Sequence, residues 1–192
     1  MIIYESNNYV PDDITLRVRQ RLLDSRNYTD ARQCDWFPYD KDNIHKADFI
    51  PNDDYYTAVW EEHYEIKTDK DVECVVENYV KPKIFELTGF SDFKRCFLSI
   101  TRMPSGGHYR LHRDNNHADF GFVWYLNKNW KYDWGGLLIT VNQDGTASVK
   151  RPIYNNLIIL DHRFSNFDNW HFVNRVEHHA KEPRMSIIGF LK

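Results

Sequence analysis

After Gly89 the chain breaks into seven short, strand-like segments: FKRCFLSITRM, FGFVWYLN, GLLITVN, ASVKRPI, NLIILDH, HFVNRV and RMSIIGFL. Each is rich in β-branched and aromatic residues, and turn residues separate them. The Asp-Gly pair in QDGT, residues 143 to 146, has the chemistry of a tight hairpin. Seven strands at such close spacing must bury their apolar sides against each other, which points to a β-sandwich or jelly-roll barrel.

The first 92 residues read differently. MIIYESNNYV alternates loosely and suits a short strand. Pro11-Asp12-Asp13 supplies start signals for a helix through Leu16, Val18, Leu22 and Leu23. Residues 26 to 68 are rich in Asp, Asn, Tyr and Trp and poorly periodic, as loops with short elements over a site would be. A second helix is predicted from about Asp69, with Val72, Val75, Val76, Tyr79 and Val80 on one face. Pro82 should kink or end it, and Gly89 is a good stop. The expectation is α+β: a double-stranded β-helix, or jelly roll, packed against N-terminal helices. The 192 residues fit a single domain, with a helical lead-in over 1–92 and a jelly-roll core over 93–192.

Composition narrows the function classes. The net charge of −3 comes from interspersed charges without a basic stripe, so nucleic acid is an unexpected partner. No apolar run approaches a membrane span, and the N-terminus lacks the pattern of a signal peptide. Cys34, Cys74 and Cys96 share no short spacing, which argues against a zinc knuckle or redox pair and for a reducing, cytoplasmic setting.

The chemistry-bearing residues gather in the strand-rich part. His112 and Asp114 lie two residues apart on an extended segment, so their side chains point the same way and can share a metal. A second histidine from a distant strand would complete a 2-His-1-carboxylate face, which leaves positions open on Fe(II). His171 is the best candidate, and the His178-His179 pair is the alternative. An isolated HxD is common in solvated loops; what sets this one apart is the order strand, HxD, strand, glycine turn, hairpin, strand, His, then Arg184 on the last strand. Arg184 and Ser186 share a strand face, and an arginine fork beside a hydroxyl suits a carboxylate. The HRD triplet also occurs in protein kinases, but no glycine-rich phosphate loop and no DFG accompany it. The aromatic run Trp124, Tyr125, Trp130, Tyr132 and Trp134 could stack sugars or bases, although core and rim packing is the favoured reading.

From about residue 93 onward the chain resembles the prolyl-4-hydroxylase-like branch of the 2-oxoglutarate/Fe(II) dioxygenases. The resemblance rests on SITRMPSGGHYRLHRD, FVWYLNKNWKYDWGGLLI, YNNLIIL, WHFVNRV and PRMSIIGF, with the WGG segment beside HxD the most distinctive part. It implies Fe(II) as metal, with 2-oxoglutarate and O₂ as cosubstrates. It implies that His112, Asp114 and His171 hold the iron, and that Arg184, assisted by Ser186, binds the distal carboxylate of 2-oxoglutarate. The tyrosine that often precedes the first histidine by nine or ten residues is replaced here by Arg102 and Met103, so Tyr109, Tyr125 or Thr101 would have to substitute. The implied activity is hydroxylation of a prolyl residue in a peptide or protein, or of a small amino-acid substrate. Halogenases of this superfamily carry a small residue where Asp114 stands. The competing class is a jelly-roll binding module that retains a metal without turnover. Selectivity is expected from residues 26–68 together with Arg113, Arg163 and Trp170.

Overall fold

A computed structural model describes residues 2–24, 28–30, 62–64, 70–114, 118–142, 144–163 and 170–192. All seven segments form strands, and four further strands join them. In chain order the strands are β1 (Ile2–Asn7), β2 (Tyr28–Asp30), β3 (Glu62–Tyr64), β4 (Cys96–Met103), β5 (Tyr109–His112), β6 (Phe120–Tyr125), β7 (Leu138–Val141), β8 (Ala147–Lys150), β9 (Asn156–Asp161), β10 (Trp170–Val173) and β11 (Arg184–Leu191). They build an antiparallel seven-stranded sheet ordered β1-β9-β6-β11-β4-β3-β2, and a four-stranded sheet ordered β5-β10-β7-β8. This is the expected double-sheet, α+β architecture. The hairpin at Asp144-Gly145 joins β7 to β8, with Gly145 at φ 79°.

The middle of the large sheet, at β6 and β9, is buried on both faces. On one side Phe120, Phe122, Trp124, Leu157, Ile159 and Ile187 pack against the helices. On the other, Met103, Val123, Tyr125, Ile158 and Leu160 meet Leu138 and Val173 of the small sheet. That double burial explains why the middle strands read as continuous apolar runs.

The helices show two features that the sequence does not spell out. Helix α1 (Asp12–Asp24) buries Thr15, Val18 and Leu22, whereas Leu16 and Leu23 are exposed. The i, i+3, i+7 set carries the packing, and the two leucines fall beside it. The second helical stretch does not end at Pro82. It runs as α2 (Lys70–Val75), a wider π-helical turn (Val76–Val80) and α3 (Lys81–Thr88). Proline has no N–H and crowds the preceding turn. The wider turn, in which the Lys81 N–H reaches Val76 O, takes up that misfit while Val72, Val75, Val76 and Val80 stay buried. Gly89 closes α3 in the left-handed conformation, as anticipated. The short strand expected at the N-terminus is present: β1 pairs with β9 along the edge of the large sheet. Most of residues 26–68 lies outside the described residues; β2 and β3 within it extend the large sheet beside β4. Among the described residues no helix is long and apolar enough to cross a membrane.

Candidate metal centre and its anion pocket

The two histidines are brought together by strand pairing. His112 ends β5, His171 lies in β10, and the two are register partners in the antiparallel ladder. Their rings are 4.2 Å apart between centroids. Asp114 follows two residues after His112; its Oδ2 lies 3.1 Å from His171 Nε2 and its Oδ1 3.8 Å from His112 Nε2. One ligand atom from each of the three residues falls within 4.8 Å of the others. Burial works against ionising Asp114, but His171, by charge and hydrogen bond, and then His112 hold its carboxyl well below the usual carboxylate range. Two imidazoles and an ionised carboxylate converging from one side fit Fe(II) with open positions.

His178 and His179 are elsewhere. His178 Nδ1 pairs with Ser105 Oγ at 3.0 Å on the surface, and exposed His179 reaches Asp133 at 3.3 Å. His108 lies 3.1 Å from Gly106 O through Nδ1, and His117 lies outside the described residues.

The second cluster is the arginine pocket. Arg184 is 1% exposed. Its Nε donates to Gly136 O at 2.9 Å, Nη1 to Ser186 Oγ at 2.9 Å and Nη2 to Tyr125 Oη at 3.1 Å. Thr101 Oγ1 lies 2.9 Å from Ser186 Oγ, completing a chain of hydroxyls. Of the three substitutes considered for the missing phenol, Tyr125 meets the guanidinium directly and Thr101 through Ser186. Tyr109 stands instead beside the His112 ring, at 6.1 Å between centroids. Met103, at a position where the phenol was sought, pairs in register with Arg184 on one flank of β11. Tyr125 comes from β6 on the other flank, where it pairs with Ser186.

The distinctive YLN and WGG segments brace this pocket, a role their residue types did not advertise. Asn127 Oδ1 accepts the Met185 N–H at 2.7 Å and its Nδ2 donates to Pro183 O at 2.8 Å, which fixes the start of β11. Trp130 Nε1 donates to Gly135 O at 2.9 Å. At Gly136, with φ +63°, a Cβ would lie 3.1 Å from both Arg184 Cδ and Trp130 Cζ2. Trp124, Trp130 and Trp134 are buried and pack the core, Tyr125 is buried with its hydroxyl on Arg184, and Tyr132 is the exposed member of the run. Beside the triad, Arg113 lies 4.6 Å over the Trp170 ring; Arg163 lies instead over Phe90 and Phe120, on the helix side of the large sheet, and is tied to Asp161 through Nη2 at 2.8 Å.

Sequence reasoning passed over one more residue. His162, just after β9, is 3% exposed and its ring stacks 6.2 Å from His171. Burial, with His171 adding and Asp114 opposing, pushes its imidazole down to about 4, so it is neutral. NLIILDH is apolar almost throughout, so no alternation marked which side chains face inward.

Comparison with known proteins agrees with this geometry. Residues 98–192 match the profile of the 2OG-Fe(II) oxygenase superfamily. No curated protein matches the sequence closely enough to serve as a relative. Among solved structures, the chain is similar to a Pseudomonas putida prolyl-4-hydroxylase with a TM-score of 0.68 at 16% identity, covering 98% of this chain and 91% of that one. It is similar to a Trichoplax adhaerens prolyl hydroxylase, solved with a hypoxia-inducible-factor peptide fragment, with a TM-score of 0.70 at 16% identity over 98% and 82% of the two chains. A viral collagen prolyl hydroxylase from Paramecium Bursaria Chlorella virus-1, solved with 2OG, gives a TM-score of 0.60 at 8% identity over 98% and 94%. Residues 98–192 thus carry the pattern of the 2OG-Fe(II) oxygenase superfamily, whose enzymes use Fe(II), 2-oxoglutarate and O₂, and the chain has the fold of the prolyl hydroxylases.

Proposed function

We propose that the chain is a single oxygenase domain that hydroxylates a prolyl residue of a peptide or protein, or a related amino-acid substrate. One observation carries the reading: a His-Asp-His cluster and a fully buried arginine fork stand together inside one jelly roll. In this reading His112, Asp114 and His171 hold Fe(II), and Arg184, with Ser186 and Tyr125, takes the distal carboxylate of 2-oxoglutarate. Fe(II), when bound, supplies the activation of O₂, with 2-oxoglutarate as the electron source.

The protein's own residues do the positioning. Asp114 stays ionised, so it offers charge to a cation without first losing a proton. Arg184 is held by Gly136 O, Ser186 and Tyr125, so its fork is oriented before a ligand arrives and loses little freedom on binding. Its burial removes competing water and strengthens the attraction for a carboxylate. Asp114 fills the position that a halide would need, which favours delivery of oxygen. Peptide as substrate is supported by the Trichoplax neighbour, whose bound partner is a peptide. The cysteine spacing supports a reducing, cytoplasmic setting.

The test is succinate release from 2-oxoglutarate, measured with candidate prolyl peptides and free amino acids, with mass spectrometry of each. The expected product is one oxygen atom heavier, with about one succinate formed per product. Consumption of 2-oxoglutarate under no condition, with iron bound, would instead leave a metal-retaining binding module.

A further inference from the structure

His162 has no task in the site as described so far. Strand alternation sets it on the same inner face as Ile158 and Leu160. Neither of its ring nitrogens has a hydrogen-bond partner among the described residues, although the side chain is buried. Its ring lies over Gly121, where a Cβ would come 2.6 Å from Nε2. Gly121 therefore leaves the space the ring fills. A buried polar group without a partner is costly, and natural proteins keep such groups where a ligand completes them.

The direction of that ligand follows from strand geometry. Gly121 and Tyr125 are four residues apart on β6, so about 13 Å separates the His162 end of the inner face from the Arg184 end, at about 3.3 Å per residue. The His171 ring, 6.2 Å from His162, belongs to the His162 end. A dicarboxylate held at its far end by Arg184 and at its near end by the triad extends toward His162. His162 is not itself part of the triad, whose three ligand atoms cluster without it. An imidazole N–H donates, and a carboxylate accepts.

We propose that His162 hydrogen-bonds the keto-acid end of 2-oxoglutarate when that end sits on the triad. The inference rests on the function proposed above. It gives the pocket a contact at each end: Arg184 for the far carboxylate and His162 for the near one.

The experiment uses the full chain loaded with Mn(II) under nitrogen and titrated with 2-oxoglutarate or with pyruvate, which carries the keto-acid end alone. His162→Phe should weaken both ligands by about tenfold, the loss of one hydrogen bond to a charged group, while Mn(II) affinity stays unchanged. Gly121→Ala keeps the imidazole but displaces it, and should weaken both ligands too. Arg184→Lys should weaken 2-oxoglutarate and spare pyruvate. Unchanged ligand affinity in His162→Phe overturns the proposal, and so does a parallel fall in Mn(II) affinity, which would make His162 a support for His171. If that variant does not fold, the wild-type protein with ¹⁵N-labelled histidine and Zn(II) decides: pyruvate must shift the His162 ring-nitrogen resonances, and no shift overturns the proposal. A Mn(II)-loaded wild type that binds neither ligand would remove the oxygenase reading itself.

Discussion

The two sheets carry different burdens. The middle of the seven-stranded sheet is covered twice, by helices outside and by the small sheet inside, and all six residues of β6 and of β9 are buried. The four-stranded sheet is covered once, and β7, β8 and β10 alternate between more and less buried positions. Arg184 stands on the first, while His112 and His171 stand on the second. The large sheet is thus a rigid wall that presents a fixed charge, and the small sheet brings the metal-ligand side chains to it. Substitutions in the wall should cost folding; substitutions in the small sheet should cost chemistry.

The sharpest break between the two is at the triad. Asp114→Ala or His171→Ala should abolish productive Fe(II) binding and turnover while leaving the fold intact, as judged by metal analysis beside circular dichroism. Unchanged iron content in His171→Ala, with loss in His178→Ala or His179→Ala, would move the third ligand to the surface turn.

Next in size is the wall itself. Trp124 is fully buried against the helices, and its Nε1 donates to Asn155 Oδ1 at 3.2 Å. Trp124→Ala should destabilise the protein by about 3–5 kcal/mol in chemical denaturation. Val149→Ser, at a 55% exposed site on β8, should change stability by less than about 0.5 kcal/mol. Equal effects at the two sites would erase the distinction between the sheets.

The arginine pocket tests where wall meets chemistry. Arg184→Ala should raise the apparent KM for 2-oxoglutarate by roughly tenfold or more, because a charged hydrogen bond contributes about 1.5–3 kcal/mol. Iron binding should be nearly unchanged. Arg184→Lys keeps the charge but loses the fork, and should fall between wild type and alanine.

How much of this was legible depended on whether a residue's face could be read. His112 and Asp114 were readable because alternation over two residues is local. Arg184 was readable because a lone cation in an apolar terminal strand is conspicuous. Tyr125 could be named as a candidate but not chosen, since its pairing with Ser186 is a matter of register between distant strands. Asn127, Gly136 and Trp130 act by bracing Arg184, and braces carry no chemical signature of their own. The exposure of Leu16 and Leu23 has a similar origin: a helix with apolar residues on more than one side does not say which side the sheet will take.

A small effect is also expected outside the wall, where α1 meets α2. Asp71 accepts from Arg21 Nη1 at 2.8 Å and Arg17 Nη2 at 3.4 Å. The Arg21 hydrogen bond, opposed by burial and helped by Arg17, lowers the Asp71 carboxyl from its ordinary value. A carboxyl depressed on folding contributes stability above its unfolded pKa and loses it as pH falls through the folded one. Asp71→Asn should therefore cost less than about 1 kcal/mol near neutral pH, and the gap to wild type should close in acid. Urea titrations at both pH values measure it.

The pairing of His112 with His171 has a consequence for motion. Strand β5 is four residues long and has one neighbour in its sheet, β10. Short edge strands open most readily, so the amides of β5 should exchange with solvent faster than those of β6. An ion held by His112 and His171 ties that edge to β10 through side chains, beyond the backbone ladder. Metal loading would then act as a clasp, slowing exchange at β5 and leaving β6 unaltered, and the loss of metal would reach the molecule first as a loosened edge.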